Sequence, residues 1–333
     1  VCTAHCDLAV GWKDWYQLGA ALDGCEKQEE EQVITVAPGL AVTLWDSGGI
    51  FKAIEKAQAS LASINPDIVQ LHTTPKSNFA EAVALVRSIV PQARIWVGLP
   101  ADPLVTSANY KAAVRSYARE AKKGGAEMFV FNGETRWKAT GADRTRLGLH
   151  AQECIAEVRK AAPGMAVAWT SFDHLASHGL PWRFIFDPEK GVDYHMPQHY
   201  THDPKFPDRL SNHRTVAARV TAADKNSRRL DGAVPDHFLP GGDRWIPYGQ
   251  MHHHNTAAIC ALSNMAPRVA YWAMMSRADS HGLVGVYRAQ GLRRVEGHNP
   301  GHVQAFQGRV GLVADGIVGP ATVAKLDLAV VQR

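Results

Sequence analysis

The sequence predicts an α/β protein built on a (β/α)8, TIM-like barrel with a short helical C-terminal element. Two observations carry the barrel. Eight short apolar, β-branched runs alternate with helically patterned segments, and the alternation extends over about 250 residues, the usual span of that fold. A third observation disfavours the competing doubly wound sheet. The glycines after the first strand, in "DSGGIF", have neither GxGxxG nor P-loop spacing.

The elements follow in order. Residues 1–38 read as an N-terminal extension, with helical content in "DLAVGWKDWYQLGAALDGC" and an acidic patch, "EKQEEEQ". The barrel is assigned to residues 39–292. "LAVTLWD" opens it as a strand, and "GIFKAIEKAQASLASI" has apolar residues at helical spacing. Strand-like "DIVQLHTT", "RIWVGLP" and "EMFVFNGE" then alternate with helical "NFAEAVALVRSIV", "NYKAAVRSYAREAKKGG" and "RLGLHAQECIAEVRKAA". "MAVAWTSFD" and "VDYHMPQHY" supply strands five and six around a weak helical stretch near Pro181–Phe186. "RLSNHRTVAARVTAAD" leads through the Pro- and Gly-rich "RRLDGAVPDHFLPGGDR" to strand seven, "RWIPYGQM". "NTAAICALSNM" precedes strand eight, which begins "RVAYW". Residues 293–333 form the C-terminal element.

The 333 residues are 46% hydrophobic and 20% charged, the balance of a globular chain with a buried core. No apolar stretch reaches the roughly 20 residues of a membrane span, and no signal peptide is visible in this chain. The net charge of +4 is spread without a Lys/Arg run, so a nucleic-acid partner is not expected. Of the five cysteines, Cys154 and Cys260 lie in apolar helical patterns. Cys2, Cys6 and Cys25 crowd together in a spacing that suits one disulfide better than zinc.

In a barrel, chemistry comes from the C-terminal ends of the strands. Those ends offer Asp46 and Ser47, His72, Asn132 and Glu134, Asp173 and His174, Gln198 and Tyr200, Gln250 with His252–His254, and Arg277 with Asp279. Glu134 follows the apolar "MFVF" and is the expected general acid, because partial burial keeps a carboxyl protonated near neutral pH. A glycosidase usually places a second carboxylate about 5 to 9.5 Å away. Asp46 and Asp279 are the candidates, although Asp46 also suits the start of the next helix. Asn132, Trp137, Gln198, Tyr200, Gln250 and Trp272 are the expected sugar contacts, with Trp137 stacking on a ring. Neither a metal nor an organic cofactor is required. A GxSxG elbow and the HExxH and HxxEH motifs are absent.

The C-terminal segment from Ala305 to Leu326 contains "AFQ", "GL" and "DGIVGPAT". It resembles half of the repeat of peptidoglycan-binding domains on wall hydrolases. The barrel more loosely resembles Chalaropsis-type lysozymes, which have an Asp after strand one, as in "WDS", and a D-x-E pair after strand four. Here that pair reads Asn132-Gly133-Glu134, an amide replacing the first carboxylate. The resemblance implies a peptidoglycan-degrading, muramidase-like enzyme working at the bacterial cell wall, as a phage lysin or a secreted or injected protein. The alternatives are a non-catalytic carbohydrate-binding barrel of a phage particle and a metal-dependent wall amidase or deacetylase.

Overall fold

A computed structural model describes residues 39–199, 216–230, 234–250, 266, 268–272 and 311–312. The N-terminal extension, the three clustered cysteines and nearly all of the C-terminal half repeat lie outside the described residues.

The barrel is borne out. Strands β1 (Gly39–Leu44), β2 (Ile68–His72), β3 (Arg94–Pro100), β4 (Ala126–Asn132), β5 (Ala166–Phe172), β6 (Tyr194–Gln198), β7 (Tyr248–Gln250) and β8 (Arg268–Trp272) pair in sequence order. All pairings are parallel, and β1 closes the ring on β8, with Leu40 beside Val269 and Ala41 beside Ala270. Such strands are covered on both faces, which is why they read as nearly continuous apolar runs.

Between the strands come α1 (Ile50–Ile64), α2 (Phe79–Ile89), α3 (Tyr110–Lys123), α4 (Gly141–Ala161), α5 (Trp182–Ile185) and α6 (Val216–Ser227). Helix α4 shows the logic. Leu147, Gly148, Ala151, Cys154, Ile155 and Val158 recur at three- and four-residue intervals, and all are buried. Cys154 is thus a core thiol, as its helical setting predicts. Helix α1 stops at Asn65, which takes the left-handed conformation and donates its N–H to the Leu61 carbonyl. The stretch near Pro181–Phe186 contributes only the single turn α5. The Pro- and Gly-rich segment forms short 3-10 turns at Arg228–Leu230 and Asp236–Phe238.

Two apolar layers result. The larger lies between strands and helices. The smaller fills the barrel with Ala41, Ile68, Trp96, Met128, Val130, Ala166, Ala168, Tyr194, Met196, Ile246, Tyr248 and Ala270. Alanines on β1, β5 and β8 leave the volume that Trp96, Tyr194 and Tyr248 occupy. This inner set fixes the parity of each strand, so the next inward positions toward the C-terminal end are Thr43, Gln70, Asn132, Thr170 and Gln198. The apolar interior gives way to amides and hydroxyls at that end.

Candidate active site at the barrel mouth

Strand register brings the polar positions together. Asn132 pairs with Thr170, Phe172 with Gln198, and Gln198 with Tyr248. Gln198 Nε2 donates to Glu134 Oε1 at 2.7 Å and to Asn132 Oδ1 at 3.3 Å. Three of the residues expected from the sequence therefore form one cluster spanning β4 to β6. Gln198 is buried, whereas Asn132 and Glu134 are half-buried. Asn132 accepts through Oδ1, which turns its own N–H groups elsewhere.

The chain leaves β4 through Gly133. A β-carbon there would stand 2.3 Å from Trp169 Cζ2 and 3.0 Å from Trp137 Cδ1, so only glycine fits. The 3-10 turn Thr135–Trp137 follows. Asp102, at the head of the 3-10 turn Asp102–Thr106 beyond β3, accepts the N–H groups of Glu134 (2.9 Å), Thr135 (3.2 Å) and Arg136 (3.4 Å). Arg136 Nη1 in turn donates to Thr106 Oγ1 at 3.2 Å. The loop bearing Glu134 is thereby clasped to the loop after the neighbouring strand.

Tyr248 and Thr43 complete the inner wall, hydroxyl to hydroxyl at 2.8 Å. Burial pushes the Tyr248 phenol well above its ordinary range. The Glu134 carboxylate adds to the shift, and Thr43 and the Gln70 amide oppose it. Tyr248 therefore stays a neutral hydroxyl. His72 is also kept neutral, since burial lowers its pKa to about 4. At the rim beside Gln198, the Phe172 ring carries His178 stacked at 4.1 Å and Lys138 Nζ 4.0 Å from its centroid.

The other expected residues are placed differently. Asp46 Oδ1 accepts the Gly48 N–H at 2.7 Å, and its other oxygen pairs with Lys56 on α1. The Lys56 hydrogen bond, then that of Gly48, holds its carboxyl below the usual range. It orders the turn into α1, the structural alternative to a catalytic role. Trp137 is not a sugar platform. It is fully buried, edge-on to Trp169 with ring centroids 5.0 Å apart and to His150 at 5.4 Å, because the 3-10 turn directs it inward. Asp173 is buried between His174 Nδ1 (2.8 Å) and His199 Nδ1 (3.2 Å). Tyr200, Asp279, His252–His254 and the side chains of Gln250 and Trp272 lie outside the described residues. Among the described residues, no group of three or more His, Cys, Asp or Glu side chains is arranged to hold a metal ion, and no helix is long and apolar enough to cross a membrane.

Thr43, Tyr248 and Asp102 were missed by the sequence reading. Thr43 and Tyr248 carry a visible signal, polar groups at inward parity on apolar strands. Asp102 follows the one strand end among the first six from which no candidate was drawn, and its partners are 32 to 34 residues away.

No family model matches the chain, and no curated protein matches it. Similar solved structures include a putative deoxyribose-phosphate aldolase from Toxoplasma gondii ME49, 14% identical over 77% of this chain and 94% of that one, with a TM-score of 0.47. A GH18 chitinase from Pseudoalteromonas aurantia is 12% identical over 76% and 98%, with a TM-score of 0.46. A D-psicose 3-epimerase from Clostridium cellulolyticum H10, solved with D-tagatose, is 12% identical over 77% and 98%, with a TM-score of 0.44. Likeness at this level concerns the barrel and does not transfer a substrate.

The expectation of a muramidase acting on peptidoglycan is corrected accordingly. The barrel likenesses show the fold alone, and neither comparison by sequence matches a wall hydrolase. The geometry agrees. Asp46, the expected partner of Glu134, is committed to Lys56 and Gly48. The two alternatives, a phage-particle barrel and a metal-dependent amidase or deacetylase, gain nothing from these findings.

Proposed function

We propose that the protein is a barrel enzyme of the glycoside hydrolase type, with Glu134 as its proton donor. The observation that carries this reading is the Gln198 clamp on Asn132 and Glu134 at the barrel mouth. Gln198 occupies Glu134 Oε1, leaving Oε2 to exchange a proton with a leaving oxygen. Asn132 supplies N–H donors to the hydroxyl and carbonyl groups that cover a sugar. Asp46, Asp102 and Asp173 are all engaged by protein groups. Glu134 protonates the leaving oxygen while a group of the substrate attacks the anomeric carbon, and the resulting carboxylate takes a proton from the water that hydrolyses that intermediate.

A panel of chromogenic glycosides and neutral oligosaccharides, assayed with wild type and Glu134→Gln, tests the reading. Loss of a general acid costs about 10²- to 10⁴-fold in turnover. Equal turnover by the two proteins, or none by wild type across the panel, removes it.

A further inference from the structure

We propose that Asp102 is the positioning residue for Glu134, setting the place of the acid without touching substrate. This rests on the assignment of Glu134 as proton donor. The strand end of β4 does not by itself orient Glu134. The chain passes through a glycine pressed against Trp169, and the following 3-10 turn is only three residues long. Such a turn leaves its first N–H groups without internal partners. One carboxylate from the loop after β3 meets three of them in succession, those of residues 134, 135 and 136, with Oδ1 devoted to Glu134 itself. Charge-assisted bonds of this kind are stronger and more directional than neutral ones. Gln198 then holds the other end of the same residue by its carboxylate. Glu134 is thus fixed at backbone and side chain by two different elements, which is what a proton donor needs to meet a leaving oxygen at hydrogen-bond distance.

Asparagine in place of Asp102 would put an NH2 group where one carboxylate oxygen now accepts, facing either the Glu134 N–H or those of Thr135 and Arg136. The experiment is a double-mutant cycle of Asp102→Asn and Glu134→Gln, measured as kcat and KM on a glycoside that wild type cleaves. Amide hydrogen exchange of residues 134–136 is followed in parallel. Asp102→Ser, which keeps one acceptor, replaces Asp102→Asn if the latter does not fold. Thr106→Val, which removes the Arg136–Thr106 bond while leaving Glu134's own anchor, is the control.

The expected result is a fall in kcat of about tenfold or more for Asp102→Asn with KM within about twofold, and no further fall when it is added to Glu134→Gln. Exchange at the three amides rises, and Thr106→Val keeps kcat close to wild type. Fully additive losses, or an equal loss from Thr106→Val, overturn the positioning role while leaving Glu134 as the acid. Absence of hydrolysis by wild type removes the acid assignment and this inference with it.

Discussion

Gln198 Nε2 reaches Glu134 Oε1 at 2.7 Å while also holding Asn132 Oδ1 at 3.3 Å, so a single amide nitrogen ties the end of β4 to the end of β6 over the intervening strand. Removing that nitrogen frees two groups at once. A side-chain hydrogen bond is worth about 0.5 to 1.5 kcal/mol, which corresponds to about two- to tenfold in rate if it is expressed fully in the transition state. Gln198→Met, close in volume, is expected to lower kcat/KM by that factor with a change in melting temperature of only a few degrees. Unchanged kinetics would show that the clamp is not used in the reaction.

Gly133 sets a steric condition on the same loop. Alanine there would bring a methyl group within 2.3 Å of Trp169, whose own Nε1 donates to the Gly133 carbonyl at 3.4 Å. Trp169 is fully buried and has little room to move. Overpacking of this kind costs about 1 to 3 kcal/mol. Gly133→Ala should therefore melt lower and lose activity beyond the loss of folded protein, because the displaced residue is the neighbour of Glu134. Kinetics normalised to folded fraction, together with a melting curve, check both parts.

The barrel was legible because buried parallel strands betray themselves as apolar runs, and "AEMFVFN" or "AVAWTSF" admits little else. That Glu134, Asn132 and Gln198 share the C-terminal end of the barrel was legible once strand ends were counted, but the hydrogen bonds that join them were not. Trp137 was misread because nothing local distinguishes an outward tryptophan from one that a three-residue turn folds against Trp169. Asp46 carried two readings, and Lys56, ten residues on, decides between them through a contact invisible to spacing alone. Asp102 was illegible for the same reason at longer range, since its ligands belong to another loop.

Trp137 tests the corrected placement directly. A fully buried tryptophan truncated to alanine costs about 3 to 5 kcal/mol. Trp137→Ala is expected to lose that much stability by denaturant unfolding. Trp137→Phe, which keeps part of the edge-on contact with Trp169, should lose less. A sugar-stacking residue would behave oppositely, raising KM with stability intact.

Two buried histidines set the acid limit of the fold. Burial lowers His72 to about 4 and His195 to about 3, the latter despite its Nδ1–H donating to the Phe238 carbonyl at 3.0 Å. Both groups are neutral in the folded state and take up a proton near 6.5 when the chain unfolds. The unfolded state therefore binds more protons at mildly acid pH, and stability falls as pH drops from about 6.5 through about 4 and 3. Linkage puts the loss at about 2 kcal/mol per histidine by pH 5. His195→Gln should be less stable at pH 7, yet show a smaller further loss between pH 7 and pH 5. A variant whose acid loss equals that of wild type would show that His195 does not hold this proton-linked stability.

Asp46 separates the turn role from catalysis. Its carboxylate organises the entry to α1 through Gly48 and Lys56, and those contacts keep it ionised. Because its folded pKa is depressed, its contribution to stability is present above the ordinary carboxylate range and is lost as pH falls through the lowered value. Asp46→Asn can still accept the Gly48 N–H but loses the ion pair. The expected outcome is a small drop in melting temperature at neutral pH, with kcat on the best glycoside within about twofold of wild type, as for an ion pair whose lysine is exposed to solvent. A loss of a hundredfold or more at unchanged stability would instead restore Asp46 as the partner of Glu134, and would mean that the ion pair with Lys56 opens when substrate is bound.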